Sequence, residues 1–131
     1  MPAPPIAQSI AAASHGASAD VILDIEIERG ALYFVLACRG GYAHAVRVRF
    51  SRVLRDLAGL RVNHNPLFTQ LEFLADGRRI RLLIDTLAGY AQRRQAMQFE
   101  ARLEWRGDDG KRARRTIRHD LSAWTQWRET L

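Results

Sequence analysis

The run Met97-Gln98-Phe99-Glu100-Ala101-Arg102-Leu103-Glu104-Trp105-Arg106, then Gly107-Asp108-Asp109-Gly110, then Lys111-Arg112-Ala113-Arg114-Arg115-Thr116-Ile117-Arg118-His119, decides the fold class. Apolar and polar residues alternate with period two. Met97, Phe99, Ala101, Leu103 and Trp105 therefore share one face of a strand, and the charged residues share the other. The glycine-flanked acidic pair turns the chain. A two-residue loop would set inward Trp105 opposite Arg112, a poor register. A three-residue loop of Asp108, Asp109 and Gly110 places Gly110 where a positive φ is wanted. It pairs Trp105 with Ala113, Ala101 with Ile117 and Phe99 with His119. On the outer face the same register opposes Glu104 to Arg114 and Glu100 to Arg118, ion pairs contributing about 0.2–1 kcal/mol each. Arg115 is turned inward beside Leu103, so that it snorkels at the sheet margin or a bulge moves it.

The same period recurs upstream. In Leu23-Asp24-Ile25-Glu26-Ile27-Glu28 the apolar residues face a core and the acids face water. Arg29-Gly30 breaks that strand, Ala31 to Cys38 forms a second and more buried one, and Arg39-Gly40-Gly41 supplies the next turn. A third strand runs through Val46, Val48 and Phe50 with Arg47 and Arg49 outward. Between Ser51 and Thr69 the alternation is lost. Leu54, Leu57 and Leu60 at spacing three fit a short helical or irregular turn, and Asn63-His64-Asn65-Pro66 reads as a loop. After Asp76-Gly77, Ile80, Leu82 and Ile84 share one face while Arg79 and Arg81 share the other. Asp85-Thr86 caps a short helix through Leu87 and Tyr90 that leads to the next strand. Five to seven strands with little helix and no βαβ alternation predict an all-β protein, an antiparallel β-sandwich of about seven strands with short helical turns.

Three stretches carry a resemblance. Gly40-Gly41-Tyr42-Ala43 leads into Val46-Arg47-Val48-Arg49-Phe50, Leu74-Ala75-Asp76-Gly77 leads into Ile80-Arg81-Leu82-Leu83-Ile84, and Trp105-Arg106 leads into Gly107-Asp108-Asp109-Gly110-Lys111. Over about residues 20–121 this resembles bacterial immunoglobulin-like sandwich domains. The resemblance implies a binding or scaffolding module and carries over no catalytic residue. The disulfide pair of antibody-type domains has no counterpart, because Cys38 is the single cysteine.

The chain has 131 residues, 47% hydrophobic and 26% charged, which fits one soluble globular domain. Residues 1–19 carry no charged side chain and form an Ala/Ser/Pro-rich tail expected to be disordered. Residues 20–121 form the sandwich, and 122–131 an amphipathic C-terminal segment. No stretch approaches the roughly 18–20 apolar residues that span a bilayer, and the Met1-Pro2-Ala3-Pro4-Pro5 start lacks the positive region of a secretory signal. The cytoplasm is the expected location.

There is no G-x-S-x-G elbow, no P-loop and no G-x-G-x-x-G, and His15, His44, His64 and His119 show no ligand spacing. Asp24, Glu26 and Glu28 read as a solvated strand face, Asp108 and Asp109 as turn residues, and Cys38 as a small buried hydrophobe. The expectation is no enzyme, no catalytic residue, no cofactor and no metal site.

What remains is surface. Lysine plus arginine number 20 against 14 acids, a net charge of +6, and Lys111 is the sole lysine. Arginine's planar fork suits carboxylate or phosphate, although a GC-rich coding sequence gives the same bias. Arg78, Arg79, Arg81 and Arg112 are the candidate anion-binding residues, with Tyr42, Trp124 and Trp127 as candidate stacking partners. No RNP, helix-turn-helix or zinc pattern accompanies them. Trp124, Trp127 and Leu131, at i, i+3 and i+7, are the candidate partner-binding residues, unless that segment folds back over the open end of the sandwich. The reading is a non-enzymatic protein-interaction, adaptor or scaffolding module that binds a protein partner or self-associates by edge pairing. The alternative is nucleic-acid or polyanion binding through an arginine-rich face.

Overall fold

A computed structural model describes residues 19–123. The strands are β1 (Asp20–Glu28), β2 (Ala31–Arg39), β3 (Ala43–Phe50), β4 (Leu71–Leu74), β5 (Arg79–Thr86), β6 (Gln98–Arg106) and β7 (Arg112–Asp120). A 3-10 turn (Val62–His64) and helix α1 (Pro66–Thr69) precede β4, and helix α2 (Leu87–Gln92) links β5 to β6. All pairings are antiparallel, in a three-stranded sheet of order β1-β2-β5 and a four-stranded sheet of order β4-β3-β6-β7.

The alternation explains the two layers. Val21, Leu23, Leu32, Phe34, Leu36, Ile84, Val48, Phe99, Leu103 and Trp105 point from both sheets into one buried cluster. Phe34 of β2 lies 5.6 Å from Phe50 of β3 and 5.7 Å from Phe99 of β6, so aromatic rings bridge the sheets at the centre. This architecture is compatible with a β-sandwich. At one end, Trp105 Nε1–H donates to the Ala19 carbonyl (2.9 Å), fixing where the chain enters β1.

The β6–β7 hairpin has the register expected from sequence, including Trp105 opposite Ala113 and Glu104 opposite Arg114. Gly110 has φ 79°, and its N–H donates to the Gly107 carbonyl (3.0 Å). The β6–β7 register is unbroken, and Arg115 reaches past the margin to pair with Asp20 of β1. The β1–β2 turn is a two-residue loop with Arg29 (φ 51°) and Gly30 (φ 79°) both left-handed, the geometry that matches strand twist.

The long connection resolves into irregular structure. Leu54 is buried, whereas Leu57 and Leu60 are exposed. The spacing of three there arises from a turn organised by Asp56, whose Oδ1 accepts from Ala58 N–H (2.9 Å) and Leu60 N–H (3.0 Å). Asn65, inside the stretch read as a loop, caps α1 by accepting from Leu67 N–H (2.9 Å). Thr86 caps α2 as expected, accepting from Gly89 N–H (2.9 Å). Asp85 does something else: it is buried, pairs with Arg93 and accepts from Thr86 N–H (2.7 Å). That packing requires Gly89, since a Cβ there would lie 2.7 Å from Asp85 Oδ1 and 2.8 Å from Thr86 Oγ1. The short strand β4 has no expectation of its own in the sequence, because four residues are too few to show a period.

Candidate interaction surface

The outward rows of the two sheets carry different electrostatics. On the three-stranded sheet Arg79 pairs with Glu26, and Arg81 reaches Glu26 (3.2 Å) and Glu28 (3.4 Å). The Arg81 guanidinium also lies 3.9 Å from the Tyr33 ring centroid. Arg78 sits in the preceding turn, where its carbonyl accepts from Cys38 N–H (3.0 Å). Arg112 stands on the four-stranded sheet. The structure therefore brings Arg79 and Arg81 together with glutamates and does not bring Arg112 to them.

The outer face of the four-stranded sheet is built from cross-strand rows. One row runs across all four strands, Phe73–His44–Arg106–Arg112, each residue opposite the next. The adjacent row is Arg47–Glu104–Arg114, with Arg47 also bound to Glu72 (2.8 Å) and Arg114 4.0 Å from Glu104. The third row is Arg49–Arg102–Thr116, and beyond it Arg118 stands opposite Glu100 at 3.4 Å. Arginine thus faces arginine twice, at Arg106–Arg112 and at Arg49–Arg102, an arrangement that costs stability. Arg49, Arg106 and Arg112 take part in no ion pair among the described residues. Each opposed pair borders a cleft, of about 180 Å³ beside Arg106 and Arg112 and about 300 Å³ beside Arg49 and Arg102.

At the β4 end of the first row, Tyr42 and Phe73 are 46% and 50% exposed with their rings 5.5 Å apart. His44 lies 5.5 Å from Phe73, and its Nε2–H donates to Asp108 Oδ1 (2.9 Å), tying the row to the β6–β7 loop. Beside it β3 carries a bulge: Ala45 and Val46 together oppose Trp105, and Ala45 has φ 50°, an unfavourable backbone for a non-glycine residue. Tyr42 and Arg112 were singled out from sequence. Phe73, Arg49, Arg102 and Arg106 were not, although outward parity on the strands marks all three arginines.

Each edge strand carries a feature that disfavours strand addition. Midway along β1 the Leu23 carbonyl accepts from His119 Nε2–H (3.0 Å), and Ile25 N–H donates to Asp24 Oδ1 (2.8 Å). On β5 the Ile84 carbonyl accepts from Leu57 N–H of the long loop (2.8 Å). β7 carries an inward charge in Arg115, and β4 is four residues long. Such features suppress edge-to-edge pairing.

Titratable groups away from this face serve the fold. Burial lowers the pKa of His119, which also lies 5.6 Å from the Phe99 ring. Burial raises the Cys38 thiol, whose Sγ–H donates to the Gly41 carbonyl (3.2 Å), and raises the Tyr90 hydroxyl, which donates to the Ala96 carbonyl. Among the described residues no three His, Cys, Asp or Glu side chains converge as metal ligands, and no helix is long and apolar enough to cross a membrane. Trp124, Trp127 and Leu131 lie outside the described residues, as does the 1–18 portion of the predicted tail.

No family model matches the chain, and neither a curated protein nor a solved structure does.

Proposed function

We propose that this chain is a non-enzymatic protein-interaction module of immunoglobulin-like type whose working surface is the outer face of the four-stranded sheet. Strands one, two and five against four, three, six and seven support the immunoglobulin-like reading, with the fourth strand joined to the second sheet rather than the first. The observation that carries the function is two opposed arginine contacts: Arg106–Arg112, where neither residue has an ion pair among the described residues, and Arg49–Arg102, where Arg49 has none and Arg102 reaches Glu100 (3.4 Å). Within the fold they cost stability, and an acidic partner would relieve that cost on binding. Exposed Tyr42 and Phe73 beside arginines give the aromatic-plus-arginine, lysine-poor composition of protein interfaces. The features at the edge strands weigh against self-association by strand pairing.

The test is capture from the native cell by a tagged full-length chain, compared with a variant carrying Arg49→Gln, Arg102→Gln, Arg106→Gln and Arg112→Gln. The variant should keep its thermal stability and lose the partner that the parent retains. Equal recovery of that partner by both proteins would overturn the assignment of this face.

A further inference from the structure

Resting on that reading, we infer that the row Phe73–His44–Arg106–Arg112 is a bipartite peptide site for an extended acidic segment of a partner protein. Two arginines take its carboxylates, and the Tyr42–Phe73 pair seats an apolar side chain. The row crosses four strands, hence three interstrand spacings, or about 14 Å from Phe73 to Arg112. An extended peptide advances about 3.4 Å per residue, so the two ends of the row are about four residues apart. The segment accordingly carries one or two Asp or Glu residues about four positions from an aromatic or branched aliphatic residue.

Four features converge on this row. Arg106 and Arg112 are exposed, directly opposed, and free of ion pairs among the described residues. The cleft beside them, of about 180 Å³, has Ala45 and Ala113 in its lining and is below the roughly 300 Å³ at which small-molecule sites begin. It has room for a single side chain. The bulge at Ala45 holds a strained backbone at the edge of that cleft, as bulges next to binding sites do. Across the row, Tyr42 and Phe73 supply an exposed ring pair, and His44 holds its position between them and Arg106 through Asp108. A guanidinium pair accepts phosphate as readily as carboxylate. The acids of the next row, Glu104 and Glu72, favour a peptide over a continuous phosphate backbone, which would meet repulsion there.

The experiment is selection of a random fifteen-residue displayed-peptide library on the immobilised full chain, followed by fluorescence anisotropy with the enriched peptides. Enriched sequences should place an acid about four residues from an aromatic or aliphatic residue. Arg106→Gln with Arg112→Gln, and separately Tyr42→Ala with Phe73→Ala, should each weaken binding about tenfold or more. All four residues are exposed or near the surface, and an unchanged thermal midpoint confirms that each variant is folded. Enrichment without that spacing, or equal binding by the variants, overturns the bipartite site. Loss of peptide binding on Arg49→Gln with Arg102→Gln alone would overturn this row and leave the broader arginine face standing. No enrichment at all, together with no partner captured in the native cell, would remove both. A labelled oligothymidylate bound more tightly than any enriched peptide would replace the acidic segment with nucleic acid.

Discussion

The two sheets present outer faces of the same secondary structure and the same residue types, yet they solve their charge differently. On the three-stranded sheet Arg79 and Arg81 each meet a glutamate of β1 across the intervening strand, and Arg81 also covers Tyr33. On the four-stranded sheet arginines of β6 stand opposite arginines of β3 and β7. On the first face both β5 arginines have acidic partners. The second keeps Arg49, Arg106 and Arg112 without ion pairs among the described residues, and this contrast, more than a count of basic residues, is what the proposed function rests on.

The contrast assumes that both faces are mounted on one core, and the largest expected effect tests that assumption. Phe34 is fully buried and its ring reaches Phe50 and Phe99 of the opposite sheet. Phe34→Ala should cost about 3–5 kcal/mol in urea unfolding, in a single transition. Two separate transitions in the parent would show that the faces do not share a core.

The contrast itself is measured by paired substitutions. Arg81→Gln removes two ion pairs and a ring contact at a site about one-third exposed, so after solvent screening it should cost roughly 0.5–1 kcal/mol. Arg112→Gln removes no ion pair among the described residues and relieves repulsion from Arg106, so stability should hold or rise by a few tenths of a kcal/mol, roughly. Thermal melts at low salt should show the opposite signs, and the difference should shrink at about 1 M salt, where the Debye length is about 3 Å. A cost for Arg112→Gln equal to that for Arg81→Gln would erase the distinction.

A subtler effect belongs to the seam where the two sheets meet, at β1 and β7. Burial lowers the folded pKa of His119 below the ordinary value of about 6.5, outweighing the hydrogen bond to the Leu23 carbonyl and the nearby Asp24 carboxylate, which both raise it. The folded state then binds fewer protons than the unfolded chain. Stability from this group is complete above about pH 6.5 and falls as the pH drops below it towards the lowered folded value. Urea midpoints between pH 7.5 and 5 should decline more steeply in the parent than in His119→Gln. Parallel curves would show that the seam contributes no titration.

Much of the fold was legible in sequence wherever strands were long enough to show their period. The β6–β7 pairing followed from nine alternating residues and one glycine, down to Trp105 against Ala113. Leu71–Leu74 is too short to alternate visibly, and Ala45 has a side chain that gives no notice of left-handed backbone. Asp85 looked like a helix cap because its neighbour Thr86 is one; only packing shows that it is buried against Arg93. The candidate site was half legible. Arg112 and Tyr42 were visible as types, while their connection through His44 and Arg106 depends on strand order.

The sequence by itself determined the all-β class, the inward and outward faces and the last hairpin, because these follow from the period of two and from local turn chemistry. The tertiary structure decided which strands became neighbours. That choice gave Arg79 and Arg81 their glutamates and set Arg49 against Arg102, because charge acts across neighbouring strands over a few ångströms, between residues distant in sequence.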